Sequence, residues 1–463
     1  MEERATVVRR MPERGYQSVA FRGRALRRGA MLARMASLDS TARRPCDLLV
    51  HGAAELATPL GSTPLGGAAM GRIRVVPDGA VAIADGRIVA VGPAREIEAR
   101  HAPARRLDAR GGLVVPGFVD AHSHPVFVGT REEEFELRTR GATYVEIAQA
   151  GGGILSSVRG VRAAGEEQLL ALLLARAERF LDHGTTTLEA KSGYGLTLAD
   201  ELKSLRAIAA ANRVQPLELV PTFLGAHDYP LEHRADKARY VDLLVEEMLP
   251  AVAAAGLAQG ADVFVEAHVY DVASARRILL KAKELGLARR LHADQLSLSG
   301  GALLAAEVGA ASADHLEHVD EAGAEALLAA GVVPVLAPLV PLYLRQEREA
   351  PGRMLVDRGL PVAVSTDFNP GSCYCLNMQE ALAFAALRYR MTAAECLVAA
   401  TLNPACALGL GATHGTLEPG KQADLVVLDM PNHRRLAYEL GRNAARAVVK
   451  RGVVVRERAG PTL

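Results

Sequence analysis

The chain has 463 residues, 49% hydrophobic and 23% charged, with a formal net charge of +1. That length suits one large domain plus a smaller one, and the near-neutral balance excludes nucleic acid or an acidic membrane surface as the main partner. Trp is absent, no apolar stretch reaches membrane-spanning length, and Cys46, Cys373, Cys375, Cys396 and Cys406 form an odd, scattered set that fits a reducing cytoplasm better than a disulfide framework.

Residues 1–44 are rich in Arg and poor in acids, with no hydrophobic period and no apolar core of a signal peptide. They read as a disordered extension, or as a start placed too early, with Met31 or Met35 as the true first residue. A transit peptide is the alternative on composition. Short β-rich segments follow at Asp47-Leu48-Leu49-Val50, 72–76, 80–83 and 87–91, separated by turn residues such as Asp85-Gly86. The same character returns at 423–428 and 447–455. A small β-sandwich built from both termini, 45–115 with 412–463, is therefore expected around an inserted middle, 116–411.

The middle alternates apolar strands with amphipathic helical stretches. Eight strands are expected to end near His124, Lys191, His227, His268, Asp294, His318, Pro338 and Asp367. Helical patterns lie between them at 166–183, 199–212, 240–254, 274–286, 300–308 and 321–330. Eight strand–helix repeats predict a parallel (β/α)8 barrel of TIM type. An open doubly wound sheet is the alternative, but no Gly-x-Gly-x-x-Gly follows the first strand, so a dinucleotide site is not expected.

In such barrels the chemistry sits at the carboxyl ends of the strands. The first strand, Leu113 to Val119, runs into Asp120-Ala121-His122-Ser123-His124. Histidines at i and i+2 on extended chain share a face and can reach one metal ion. A lone His-x-His is weak, but other strand ends also carry His or Asp, and His122, His124, His292 and Asp367 form the ligand set expected. Three imidazoles and one carboxylate suit Zn, and would also hold Fe or Mn. Lys191 is the nearest candidate for a modified bridging lysine, and a two-metal site is the less favoured arrangement. His315, at a strand tip, could polarise a carbonyl or shuttle protons. His318 reads as structural and His268 as ambiguous. Arg131-Glu132-Glu133-Glu134 reads first as a solvated helix start, although Arg131 could grip a substrate carboxylate in a fork. Tyr194, in the loop Ser192-Gly193-Tyr194-Gly195, could cover a substrate. The amides around Gly371 could bind an anionic group. Gly151-Gly152-Gly153 lacks the Lys-Ser/Thr of a P-loop and reads as an active-site loop. Cys373 and Cys375 flank Tyr374 and read as loop filling.

Pro116-Gly117-Phe118-Val119-Asp120-Ala121-His122-Ser123-His124 resembles the first-strand motif of the amidohydrolase superfamily. Three longer blocks, 184–195, 312–318 and 365–372, are together similar to the imidazolonepropionase family within it. The resemblance spans about residues 46 to 456. It implies a cytoplasmic enzyme, usually a homodimer, with one Zn or Fe ion per subunit on His122, His124, His292 and Asp367. The implied reaction is hydrolysis of 4-imidazolone-5-propanoate to N-formimidoyl-L-glutamate in histidine degradation, by attack of metal-activated hydroxide on the ring carbonyl. The matching substrate positions are Arg131, Tyr194, His227, Gln295, Asn369, Gly371 and Ser372. Some relatives carry Glu where this chain has Gln295. An amide cannot act as a base, so the proton traffic falls to Asp367 and His315, with Gln295 hydrogen-bonding the ring. The match in strand four, Phe264-Val265-Glu266-Ala267-His268, is looser. Two rivals are an aminohydrolase of a guanine- or cytosine-like base, whose substrate has no carboxylate for Arg131, and a metal-free scaffold of the same fold.

Overall fold

A computed structural model describes residues 43–142, 146–147 and 151–458. The Arg-rich stretch 1–42 lies outside the described residues, and the fold below is that of the unit Pro45–Leu463. Its N-terminal strands are β1 (Arg44–His51), β2 (Glu55–Thr58), β3 (Arg74–Pro77), β4 (Gly79–Ala84), β5 (Arg87–Pro93), β6 (His101–Asp108) and β7 (Leu113–Pro116). The barrel strands are β8 (Phe118–Asp120), β9 (Thr185–Lys191), β10 (Glu218–Ala226), β11 (Gly260–Val265), β12 (Ala288–Ala293), β13 (Ser312–His315), β14 (Val333–Leu336) and β15 (Ala363–Val364). The chain ends with β16 (Leu425–Leu428), β17 (Ala445–Lys450) and β18 (Val453–Glu457).

The termini build two sheets, in orders β5-β4-β1-β6 and β18-β17-β16-β7-β2-β3. Their facing sides bury Leu48, Val50, Leu56, Val81, Ile83, Val114, Leu425, Val427 and Val449. Val426 and Val448, one residue out of phase, join the main core of the barrel instead. The period-2 alternation of β16 and β17 thus serves two cores, which is why both strands read as continuous apolar runs.

The run Leu113 to Val119 is not one strand. It splits at Gly117 into β7, paired with β16, and β8, paired with β9. A Cβ at Gly117 would lie 2.3 Å from Thr186 Oγ1, so only glycine lets the chain cross from one sheet to the other here.

All eight barrel strands are parallel to their neighbours and follow one another in order, β8 to β15. An unreversed order is that of a barrel, not of a doubly wound sheet. The first and last strands meet just past their ends: His124 N–H donates to Phe368 O at 2.9 Å, and Ser365 Oγ–H bonds to Asp120 Oδ1 and His122 O at 2.6 Å each.

Helices pack outside on the faces read from their periodicity. In Glu166–Asp182 the buried face holds Leu169, Leu173, Ala177, Phe180 and Leu181, with Leu170 only half-buried. Arg176 shares that face, donating from Nη1 to Pro125 O and Phe127 O at 2.8 Å and lying 3.4 Å over the Phe127 ring. The continuous helix expected over 240–254 is instead Lys237–Leu243 and Leu249–Ala255 joined by a π-helical turn, Leu244–Met248. Pro250 has no N–H to donate and its ring displaces the carbonyl one turn back, which widens the turn.

At the amino ends of the strands, Glu218 of β10 ties the barrel to the terminal sheet. Its Oε2 accepts from Lys450 Nζ at 2.9 Å, Gln422 Nε2 at 3.1 Å and Arg451 Nη2 at 3.1 Å, and lies 3.2 Å from His414 Nε2. Burial opposes its ionisation, but the His414 hydrogen bond and the Lys450 ammonium outweigh burial and hold the carboxyl well below the usual range. A depressed carboxylate stabilises the fold above its unfolded pKa of about 4.3 and loses that contribution as pH falls. Glu218→Gln should therefore cost on the order of 2–3 kcal/mol at pH 7, after allowance for partial exposure. Denaturant melts should show the gap to wild type narrowing below about pH 4.

Candidate metal centre and active site

The mouth of the barrel gathers five side chains from four strand ends. His122 and His124 follow β8, where Ser123 forms a bridge to Phe368 that keeps the chain extended, so both rings face the barrel axis. His292 lies on β12, His315 ends β13 and Asp367 follows β15. All five are buried. Asp294, His315, Leu316 and Asp367 have φ between 46° and 77°. Non-glycine residues in that region cost roughly 1–3 kcal/mol each and concentrate at sites that over-determine them.

His124 Nε2 lies 3.3 Å from His122 Nε2 and 3.3 Å from His292 Nε2. Asp367 Oδ1 lies 3.5 Å from His122 Nε2 and 3.4 Å from His124 Nε2. Ligands about 2.0–2.1 Å from a tetrahedral ion stand about 3.3 Å apart, so these four separations match edges of such a site; His122, His124 and Asp367 gather as one group, and His292 adjoins it through His124. Asp367 Oδ1 is buried and accepts no hydrogen bond among the described residues. Burial, reinforced by neighbouring cationic and imidazole groups, holds His122 and His124 well below pKa 6.5, and burial lowers His292. Neutral imidazoles are the form a metal needs. The donor set fits an ion.

The tautomers are set from behind. His122 Nδ1–H donates to Asp314 Oδ2 at 2.6 Å and His292 Nδ1–H to Asp262 Oδ1 at 3.1 Å, which leaves both Nε2 lone pairs facing the cluster. His124 has no such carboxylate and is steadied by stacking on His227, 5.0 Å away and tilted by 17°. His227 Nδ1–H donates to Gly193 O at 3.0 Å. The loop carrying Gly193 and Tyr194 is pinned by Glu201, whose Oε1 accepts from Gly195 and Leu196 N–H at 2.8 and 2.9 Å.

One cavity is lined by His124, Arg131, Tyr194, His227, His292, Gln295, His315, Asp367, Asn369 and Ser372, with Ile154, Phe264, Leu296 and Leu344 as apolar walls. Gly371 faces a neighbouring recess with Phe135, Tyr343 and Tyr374. The N–H groups of Gly371 and Ser372, expected from the sequence as an anion site, turn to a side chain here. Asn369 Oδ1 takes both N–H groups, at 2.8 and 2.7 Å, and its Nδ2 donates to Asp367 O and Ser372 Oγ at 2.7 Å. Asn369 thereby braces the loop that carries Asp367.

Arg131 and Glu134 are buried rather than solvated. Arg131 Nε and Nη2 donate to Glu134 Oε2 at 2.9 and 2.6 Å, and Glu134 Oε1 accepts from Gly153 N–H at 3.1 Å. The glycine run thus serves as the landing point for the residue that orients Arg131. His315 Nε2 is 3.9 Å from Asp367 Oδ2, and its Nδ1 is 3.6 Å from Glu317. Burial alone would lower its pKa, but the Glu317 and Asp367 carboxylates raise it to about 9. His318 lies in the turn beyond β13, and His268 is exposed beyond β11, so neither joins the cluster. Asp294 caps the helix Gly301–Val308 through four backbone N–H groups. Cys373 is buried in the main core.

Residue reasoning missed Asp262 and Asp314 as partners of the histidines. Charged residues inside otherwise apolar parallel strands, as in Ala261-Asp262-Val263 and Ala313-Asp314-His315, were the available signal.

The model of the amidohydrolase family matches residues 113–455, and that of the bacterial imidazolonepropionase-like composite domain matches 79–104. The chain belongs to the amidohydrolase family. Among curated relatives it is similar to the imidazolonepropionase of Symbiobacterium thermophilum, 50% identical over 89% of this chain and 98% of the relative. The imidazolonepropionase of Myxococcus xanthus is 49% identical, with the same coverages. Among solved structures the fold is that of an adenosine deaminase from Xanthomonas campestris, at 23% identity and a TM-score of 0.68 over 90% of this chain and 94% of that one. A 5-methylcytosine deaminase from Klebsiella pneumoniae gives 19% identity and a TM-score of 0.69 over 90% and 98%.

A Cβ on Gly371 would lie 2.1 Å from Arg131 Nη1. The guanidinium, the flexible partner, would have to move. Gly371→Ala should raise KM for a carboxylate-bearing substrate at least tenfold, the loss of about one charge-assisted hydrogen bond, while metal analysis finds the same metal content as wild type.

Proposed function

We propose that this chain is a metal-dependent hydrolase that opens the ring of 4-imidazolone-5-propanoate to give N-formimidoyl-L-glutamate in histidine degradation. The observation that carries the reading is a single cavity lined both by the Arg131 guanidinium and by His124, His292 and Asp367 of the metal cluster. The substrate has two features to match: a propionate arm for a fixed guanidinium fork, and a cyclic amide for hydrolysis.

His122, His124, His292 and Asp367 would hold one Zn or Fe ion per subunit, which when bound lowers the pKa of water and polarises a carbonyl. The chain's residues do the rest. Arg131, steadied by Glu134, takes the propionate. Gln295 hydrogen-bonds the ring, and Tyr194 and His227 pack beside it. Asp367 faces two ways, with Oδ1 towards His122 and His124 and Oδ2 towards His315. It is placed to take a proton from the attacking water and pass it on, while His315 steadies its charge. The water oxygen joins the ring carbonyl carbon, the C–N bond breaks, and the departing ring nitrogen takes the proton that Asp367 passes on. No helix among the described residues is long and apolar enough to cross a membrane. The reading carries a cytoplasmic location and a homodimer with it.

The test is turnover of freshly made substrate by metal-replete protein, followed as loss of ring absorbance. Turnover is expected; its absence, or faster release of ammonia from guanine or cytosine, would sink the assignment. Arg131→Ala should raise KM roughly ten- to a hundredfold, the cost of a charge-assisted pair of about 1.5–3 kcal/mol. An unchanged KM would remove Arg131 from the site.

A further inference from the structure

Beneath the histidines lies a charged group that touches neither cavity nor ligand cluster. Lys191, the last residue of β9, has a side chain with 0% exposure. Its Nζ donates to Asp262 Oδ2 at 2.6 Å, lies 2.8 Å from Glu189 Oε2 and is 3.7 Å from Asp314 Oδ2. Asp262 and Asp314 are the two carboxylates that orient His292 and His122. The lysine, Asp262 and Asp314 come from β9, β11 and β13. Alternate strands of a barrel point their side chains inward at one level, which is how these three meet.

The surroundings of this ammonium are themselves anchored. Glu189 Oε1 accepts from Thr222 Oγ–H at 2.6 Å and lies 3.1 Å from Arg290 Nε, and Arg290 Nη1 donates to Ala407 O at 2.7 Å. Asp262 Oδ1 also accepts from the backbone N–H of His292 at 3.2 Å. The lysine lies on the Nδ1 side of His122 and His292, behind the rings, while the Nε2 atoms face the cluster in front. It is therefore not placed to bridge a second metal, and its reach to the centre runs only through the two aspartates.

We infer that Lys191 is a positioning residue of the metal centre. Its ammonium joins Asp262 to Asp314 and so holds both histidines behind which they stand in ligating orientation. Without it, Glu189 would keep Arg290, 3.1 Å away, but Asp262 and Asp314 would lose the ammonium between them in a dry interior, and their repulsion would turn both away from the imidazoles. The inference rests on the metal-centre reading above.

Wild type and Lys191→Met, each stripped and reloaded with Zn2+, are titrated with a competing chelator, and the Co2+ forms are compared by their visible absorption. Lys191→Met should bind either ion roughly 10–100-fold more weakly, the size seen when partners behind metal-bound histidines are lost. Its Co2+ bands should shift. In double variants with Asp262→Asn or Asp314→Asn, the losses should fall short of additive, because all three act through the same hydrogen bonds. Should Lys191→Met not fold, Lys191→Gln, which keeps neutral donors, carries the same comparison. Wild-type metal affinity in the folded lysine variant, or fully additive losses, overturns the inference. Failure of wild type itself to hold one equivalent of metal would overturn the metal-centre reading instead.

Discussion

Charges held out of water must meet an opposite charge or a donor, and that requirement orders the carboxyl end of this barrel. His122, His292, Asp262, Asp314, Glu189, Lys191 and Arg290 are all buried, and each has its partner within the group. Removing one member strands another in a medium where an uncompensated charge costs several kcal/mol. The network therefore holds the imidazoles in front of it to one arrangement, with Nε2 atoms 3.3 Å apart. Asp120 plays the matching part at the seam, where it accepts from Ser365 and Thr366 hydroxyls and joins the first strand to the last.

The cavity in front of this network divides its labour by charge. A cluster of imidazoles, most held neutral by burial, faces Asp367, and Asp367 faces His315, whose two flanking carboxylates raise its pKa. The guanidinium of Arg131 stands apart on the same cavity, paired to Glu134. A substrate with a carboxylate at one end and a hydrolysable amide at the other is the kind of molecule such a division accommodates. The solved deaminases share the fold at under 25% identity, and fold alone does not choose among their chemistries.

Much of the architecture was legible along the chain. Strand-length apolar runs separated by amphipathic helices predicted the eight-stranded barrel, and the β-rich segments at both ends predicted the additional sheets. The failures have local causes. The run Leu113 to Val119 reads as one strand across Pro116-Gly117, yet Gly117 divides it between two sheets because its missing Cβ allows close approach to Thr186. Pro250 sits inside a good amphipathic pattern and turns it into a π-helical step. Arg131 and Glu134 looked like solvent-facing charges because a run of acids usually is, and only the fold covers them.

The sequence by itself determined which residue types stand at each strand end, since the period of two and the apolar runs place His122, His124, His292, His315 and Asp367 there. Its longer blocks also carried the family, as the 50% identity to an imidazolonepropionase bears out. Only the tertiary structure decided which of those ends meet and in what orientation. Asp314 reaches His122 across 192 positions and Lys191 reaches Asp262 across 71, and no local pattern encodes such pairings. They follow from closing eight parallel strands into a ring, where alternate strands share a level and buried charges must find one another.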